Sequence, residues 1–86
     1  MNIMVSREDC VTTINDFLRT KDLKLAVTLF NYLCEIKEEK DTEKISAVAG
    51  NPGLLSFLLP KILDTLTQEL RINKITDKNN NLISVF

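Results

Sequence analysis

Apolar residues recur at helical spacing from the start of the chain. Ser6 followed by Asp9 resembles a capping box with Asp in place of Glu, which is typical of the start of a helix. The spacing predicts a first helix from about Arg7 to Arg19. Its apolar stripe consists of Cys10, Ile14, Phe17 and Leu18.

A second helix and a shorter third helix follow in the pattern. Asp22 can cap the second helix, whose apolar positions keep helical spacing as far as Ile36. The mixed charges over residues 35–44 indicate its solvated end and a loop. Thr42 begins the third helix, and Gly50 stands where helices commonly end in a left-handed residue.

The fourth predicted helix is more apolar than a surface helix. Asn51 is expected to cap it and Pro52 to be its first residue, so that two helices meet at a tight turn. Pro60 lies inside it, where the missing backbone donor and a steric clash should kink or divide the helix. From Leu54 to Leu66, apolar residues cover more of the helix than one core-facing stripe needs. The additional surface belongs either to the same core or to an interface.

After Arg71 the apolar residues no longer follow the helical period. Two short runs rich in β-branched residues flank the polar cluster 77–81, which indicates a β-hairpin. In that interpretation Ile75, Ile83 and Val85 form its inward face or its strand pairing. A competing interpretation continues the helix to about Ile75 and leaves one extended strand or a docked tail. The prediction is a mostly α, four-helix, helix-turn-helix-like domain with a short C-terminal β-hairpin, and the alternative is an all-α bundle.

Composition and charge narrow the class of protein. The chain has 86 residues, 44% of them hydrophobic, with 11 basic and 12 acidic side chains and a net charge of −1, which predicts one small domain over residues 1–86. It contains no His, the usual general base near neutral pH and the commonest metal ligand. No Gly-rich phosphate loop follows a strand. We therefore expect no enzyme activity, no catalytic residues, no cofactor and no metal site.

The positions of the cysteines and the hydropathy pattern indicate the cellular compartment of the protein. Cys10 and Cys34 fall within predicted helices, which favours two buried free thiols over a disulfide scaffold. The longest nearly uncharged run, 47–60, is interrupted by Gly and Pro and is shorter than a membrane span. The N-terminus lacks the features of a secretory signal. These features predict a cytoplasmic protein without membrane insertion.

The order of elements over residues 23–86 resembles that of winged helix-turn-helix domains. Thr42 to Gly50, the turn at Asn51, and the leucine-rich helix match the helix-turn-helix core, and residues 72–86 match the wing. The resemblance implies a DNA-binding transcription regulator. In that alternative, nucleic acid is contacted by Lys61, Lys74 and Lys78.

The fourth helix carries a different surface from a DNA-reading helix. A recognition helix needs polar donors and acceptors near its N-terminal end, whereas residues 53–57 are mainly apolar. With few clustered cations, nucleic-acid binding is expected to be weak and independent of sequence.

The leading hypothesis is a small regulatory or adaptor module that binds protein stoichiometrically. The pattern predicts contact with another protein, or with a second copy in a homodimer. Frequent Asn, Lys and Ile are typical of AT-rich genomes and suit a phage or bacterial accessory regulator or inhibitor. The expected interface residues are Leu54, Leu55, Phe57, Leu58 and Ile62.

Overall fold

Helices form most of the structure, and a short β-hairpin follows the last helix. The computed structural model describes residues 5–86. Within that range lie four helices, α1 (Arg7–Thr20), α2 (Leu23–Ile36), α3 (Thr42–Ala49) and α4 (Pro52–Glu69), then strands β1 (Lys74–Thr76) and β2 (Leu82–Val85). The predicted mostly α fold with a C-terminal hairpin is confirmed. The all-α alternative is wrong, because α4 ends at Glu69 and the chain beyond it pairs as two strands.

Side-chain caps fix where the helices begin. Ser6 Oγ accepts a hydrogen bond from the Asp9 N–H at 3.0 Å, and Asn51 Oδ1 accepts one from the Leu54 N–H at 3.1 Å. Each bond satisfies a backbone donor that has no partner within the first turn of its helix. The caps predicted at Ser6, Asp22 and Asn51 are confirmed.

Gly50 follows α3 in a right-handed conformation and not in the predicted left-handed one. Its φ of −86° lies in the right-handed region, so the predicted left-handed cap is wrong. The Gly50 N–H donates to the Ser46 carbonyl oxygen at 2.9 Å, and a Cβ at this position would lie 3.1 Å from the same oxygen. The short connection lets α3 and α4 meet at 105°.

Pro60 does not divide α4. The helix is continuous from Pro52 to Glu69, so of the two expected effects, a kink or a division, the division is wrong. Because proline has no backbone N–H, the carbonyl of Ser56 lacks the donor that the next turn would otherwise provide.

The hydrophobic core surrounds α2, which packs against α1, α3 and α4. Both cysteines are buried and unpaired, as the sequence predicted. Tight burial of this kind holds the helices in fixed relative positions. Among residues 5–86, those with no solvent exposure are Cys10, Ile14, Ala26, Leu29 and Leu66.

The two strands of the hairpin pair antiparallel with one bulge. Ile75 lies opposite Ser84 and Thr76 lies opposite Leu82, so that Ile83 is the extra residue. This irregularity breaks the alternation of faces. Val85 is buried and pairs with Lys74, and Ile75 pairs with Ser84, as predicted for strand pairing. Ile75 and Ile83 are 43% and 54% exposed, which corrects the other part of the prediction, an inward face, for these two residues.

A side chain of α1 holds the free edge of β2. The Asn15 carboxamide donates to the Val85 carbonyl at 2.7 Å and accepts from the Val85 N–H at 2.9 Å. It therefore takes the place of a neighbouring strand. Arg7 adds a hydrogen bond to the Phe86 carbonyl at 3.1 Å, so that the hairpin is attached to α1 along its end.

Candidate protein-binding surface and adjoining groove

The first half of α4 presents apolar side chains to solvent. Phe57 is 80% exposed and Leu54, three residues earlier, is 38% exposed. Leu58 is partly buried and packs against the edge of the core. Helical spacing places the three side chains close together. We call Leu54, Phe57 and Leu58 the Phe57 surface.

Two of the five predicted interface residues belong to the core. Leu55 and Ile62 are each only 2% exposed, because they point from α4 towards the other helices. The prediction is corrected for these two residues: they are not available to a partner of the folded chain. The sequence pattern showed an apolar helix, but the packing of α4 decides which of its sides faces solvent.

The lysines expected to contact nucleic acid occupy different settings. Lys74 lies in β1, and its Nζ atom is 3.2 Å from Asp64 Oδ1 on α4. Lys61 is exposed on α4 and Lys78 is exposed in the hairpin turn. Within residues 5–86, neither Lys61 nor Lys78 forms an ion pair. The carboxylate of Asp64 thus offsets one of the three positive charges.

A groove of about 400 Å³ lies between the hairpin and the helices α1 and α4. Leucines from three elements give it an apolar lining, and the ion pair between α4 and β1 lies at its side. We call it the hairpin groove. Its defining residues are Leu18, Leu59, Leu63, Leu82, Asp64 and Lys74.

Polar groups at the edge of the hairpin groove give it hydrogen-bonding capacity. Ser56 and Pro60 lie on its α4 side, and Asn81 lies at the hairpin turn. Because Pro60 has no backbone N–H, it donates no helical hydrogen bond to the carbonyl of Ser56. An apolar lining with a few polar groups at the edge is typical of a binding site.

The buried thiols show no sign of activation. Burial raises the pKa of Cys10 to about 11. Burial also raises the pKa of Cys34, and the carboxylate of Glu39 acts in the same direction. Because the thiolate is the reactive form, raised pKa values disfavour nucleophilic chemistry.

Residues 5–86 also bear on two other kinds of site, a metal centre and a membrane span. In this range no group of three or more His, Cys, Asp and Glu side chains could hold a metal ion. No single helix in the range has the length and hydropathy to cross a membrane. Joined together, α3 and α4 would reach that length and hydropathy, but a bend of 105° separates them.

The hairpin groove could not be located from the sequence. Its lining comes from α1, α4 and the hairpin. These segments are far apart in the sequence, and the pattern of residues does not show which of them pack together. One signal was present: Pro60 lies inside a helix, where it frees a carbonyl of the preceding turn. The exposed Phe57 was identified, but its exposure could not be distinguished from that of Leu55.

Comparison of the chain with protein-family models, with curated proteins and with solved structures finds no match.

Proposed function

We propose that the chain is a non-enzymatic module that acts by stoichiometric binding to protein through the Phe57 surface. The observation that carries the proposal is the 80% exposure of Phe57 on a helix whose opposite side is packed into the core. A module of this kind acts by occupying its target, which suits a small accessory regulator or inhibitor. A cytoplasmic setting belongs to the proposal and is supported by the two free buried thiols.

The physical argument concerns the cost of exposing an aromatic ring. Removing apolar surface from water contributes about 25 cal/mol per Å², and an aromatic side chain buries roughly 150–250 Å². Phe57 contributes almost none of this to folding, since it remains exposed. Binding to a partner can bury the ring and so gain the free energy of removing it from water. Aromatic side chains are enriched among the residues that contribute most to the binding energy of protein interfaces. Leu54 and Leu58 extend the apolar area beside it.

The test compares the proteins retained by immobilised wild-type chain with those retained by Phe57→Ser. The matched control is Leu23→Ser, since Leu23 is another exposed apolar residue, 44% exposed at the start of α2. We expect a protein, or free copies of this chain, to be retained by the wild type and the control and lost with Phe57→Ser. Mixing the purified pair should then give a complex of fixed stoichiometry. Equal retention by all three chains would contradict the proposal.

The second candidate function is DNA binding as a winged-helix regulator. The observation that favours it is the angle of 105° between α3 and α4, within the range for helix-turn-helix units, with a hairpin following α4. Against it, Leu54 and Phe57 occupy the exposed positions near the start of α4, and Lys74 is already paired with Asp64.

A duplex titration separates the two functions. We expect any retained DNA to be released by about 200 mM salt, because binding through few cations rests on phosphate neutralisation. Tight binding to one duplex sequence that is abolished by Lys61→Ala and unaffected by Phe57→Ser would instead favour the regulator.

A further inference from the structure

The side chain that is most exposed and the groove that could receive it lie on adjoining sides of α4. Phe57 is the most exposed of the large apolar side chains in residues 5–86. Pro60, three residues later, lines the hairpin groove, and Ser56 lines it as well. A projecting ring and an apolar groove therefore share one region of the surface.

The groove has room for a phenyl ring. Its volume is about 400 Å³, whereas a cavity of roughly 150 Å³ is enough to bind benzene in a protein core. Leu59, Leu63 and Leu82 give it an apolar lining that matches the ring.

A projection beside a cavity is self-complementary. Consider a two-fold axis that lies in the interface and passes between the projection and the cavity. Rotation about this axis places the projection of each copy on the cavity of the other copy. We infer that the partner of the Phe57 surface is a second copy of this chain, and that each copy places Phe57 in the hairpin groove of the other. The inference rests on the proposed function, because it names the partner of the same surface.

Charges around the ring and the groove are complementary in the same arrangement. Lys61 lies one helical turn after Phe57, so it moves with the ring towards the partner's groove, where Asp64 lies at the side. Lys61 forms no ion pair within residues 5–86. Asp64 is already paired with Lys74, but its side chain is 54% exposed, and a carboxylate has room to accept from a second cation. The net charge of −1 adds little repulsion between copies.

The required area means that the contact extends beyond the ring. A stable dimer buries about 800 Å² on each chain, roughly one-seventh of the 5777 Å² surface of this one. The hairpin turn adjoins the groove through Asn80 and Asn81 and therefore forms part of the same contact.

Sedimentation equilibrium from about 1 µM to about 500 µM tests the inference with the full chain. Phe57→Ala removes the ring, and Ser56→Trp fills the groove from an exposed position of α4. We expect the wild type to be a dimer and each variant to raise the dimer Kd by about 30-fold or more, as for a residue central to an interface. Leu23→Ala, the matched control, should dimerise like the wild type. Circular dichroism should show the same helix content in all four chains.

A mixture of the two variants gives the sharper result. The Phe57→Ala chain keeps its groove and the Ser56→Trp chain keeps its ring, so a mixed dimer regains one of the two contacts. We expect the mixture to associate more tightly than either variant alone. Failure of the mixture to do so, or variants that dimerise like the wild type, would overturn the inference.

The same measurement distinguishes this inference from the proposed function. A wild-type chain that stays monomeric at the highest concentration overturns the homodimer. If that monomer still binds a different protein in a manner that depends on Phe57, the proposed function stands without the homodimer. If it binds no protein in that manner, both proposals fail.

Discussion

Single residues hold the hairpin in this fold. Asn15 satisfies both backbone groups of Val85, and Asp77 organises the turn between the strands. The Asp77 carboxylate accepts hydrogen bonds from the Asn81 N–H at 2.9 Å and the Asn79 N–H at 2.8 Å. Such bonds let a short polar side chain define a turn without a packed core around it.

The turn should therefore depend on the ionised form of Asp77. The hydrogen bond from the Asn81 backbone is the main cause that lowers the pKa of Asp77 from its ordinary value of 3.8. Because the folded pKa is lowered, the stabilisation is complete above the ordinary value and is lost as the pH falls through the folded value. We expect Asp77→Ala to lower Tm at pH 7, and the difference from wild type to shrink below pH 3.8.

Thermal unfolding at a series of pH values measures this effect, with an NMR titration of the Asp77 carboxyl carbon as a direct check. Lys78→Ala, in the same turn, is the control. Its difference in Tm from wild type should stay the same as the pH falls through the range in which Asp77 is protonated. A carboxyl that titrates at or above its ordinary pKa would contradict the prediction.

At the scale of elements, α4 has two distinct sides. Leu55 and Ile62 pack into the core, whereas Phe57 faces solvent. In the distribution of its apolar residues, α4 is intermediate between a fully buried helix and an amphipathic surface helix. Its sides therefore have different tasks: one stabilises the domain and the other is available for binding.

Alanine substitutions should separate these tasks. Leu55→Ala leaves a cavity at a site that is 2% exposed, and we expect it to lower the free energy of unfolding by about 2–5 kcal/mol. Phe57→Ala should change the free energy of unfolding of the monomer by less than about 0.5 kcal/mol, since its side chain is 80% exposed. Urea unfolding at low protein concentration measures both. Equal losses would place Phe57 in the core.

At the scale of the whole molecule, the C-terminal residues hold the N-terminal helix. β2 packs on α1, and Val85 is 1% exposed. Contacts between Arg7 and Phe86 join positions that are 79 residues apart in the sequence. A chain this small has little core to spare, so long-range contacts of this kind contribute a large share of its stability.

Deleting residues 80–86 should therefore be costly. The deletion removes buried Val85 and partly buried Leu82, and burial of an aliphatic side chain contributes roughly 1.5–3 kcal/mol. We expect a loss of several kcal/mol, measured by urea unfolding and by the fall in Tm. Phe86→Ala, which changes one side chain at 57% exposure, is the control and should have a small effect. A truncated chain that melts within a degree or two of the full chain would show that the hairpin is a loose extension.

Local signals in the sequence determined the helices and the hairpin. Ser6, Asp22 and Asn51 are caps whose hydrogen bonds lie within their own first turns, so neighbouring residues suffice to predict them. The polar cluster 77–81 predicted the turn for the same reason. Only the tertiary structure decided that Leu55 is buried and Phe57 exposed, because both are apolar residues of one helix and the packing of α2 selects the buried side. The hairpin groove likewise exists only where α1, α4 and the hairpin meet, and no local pattern encodes the distances between them.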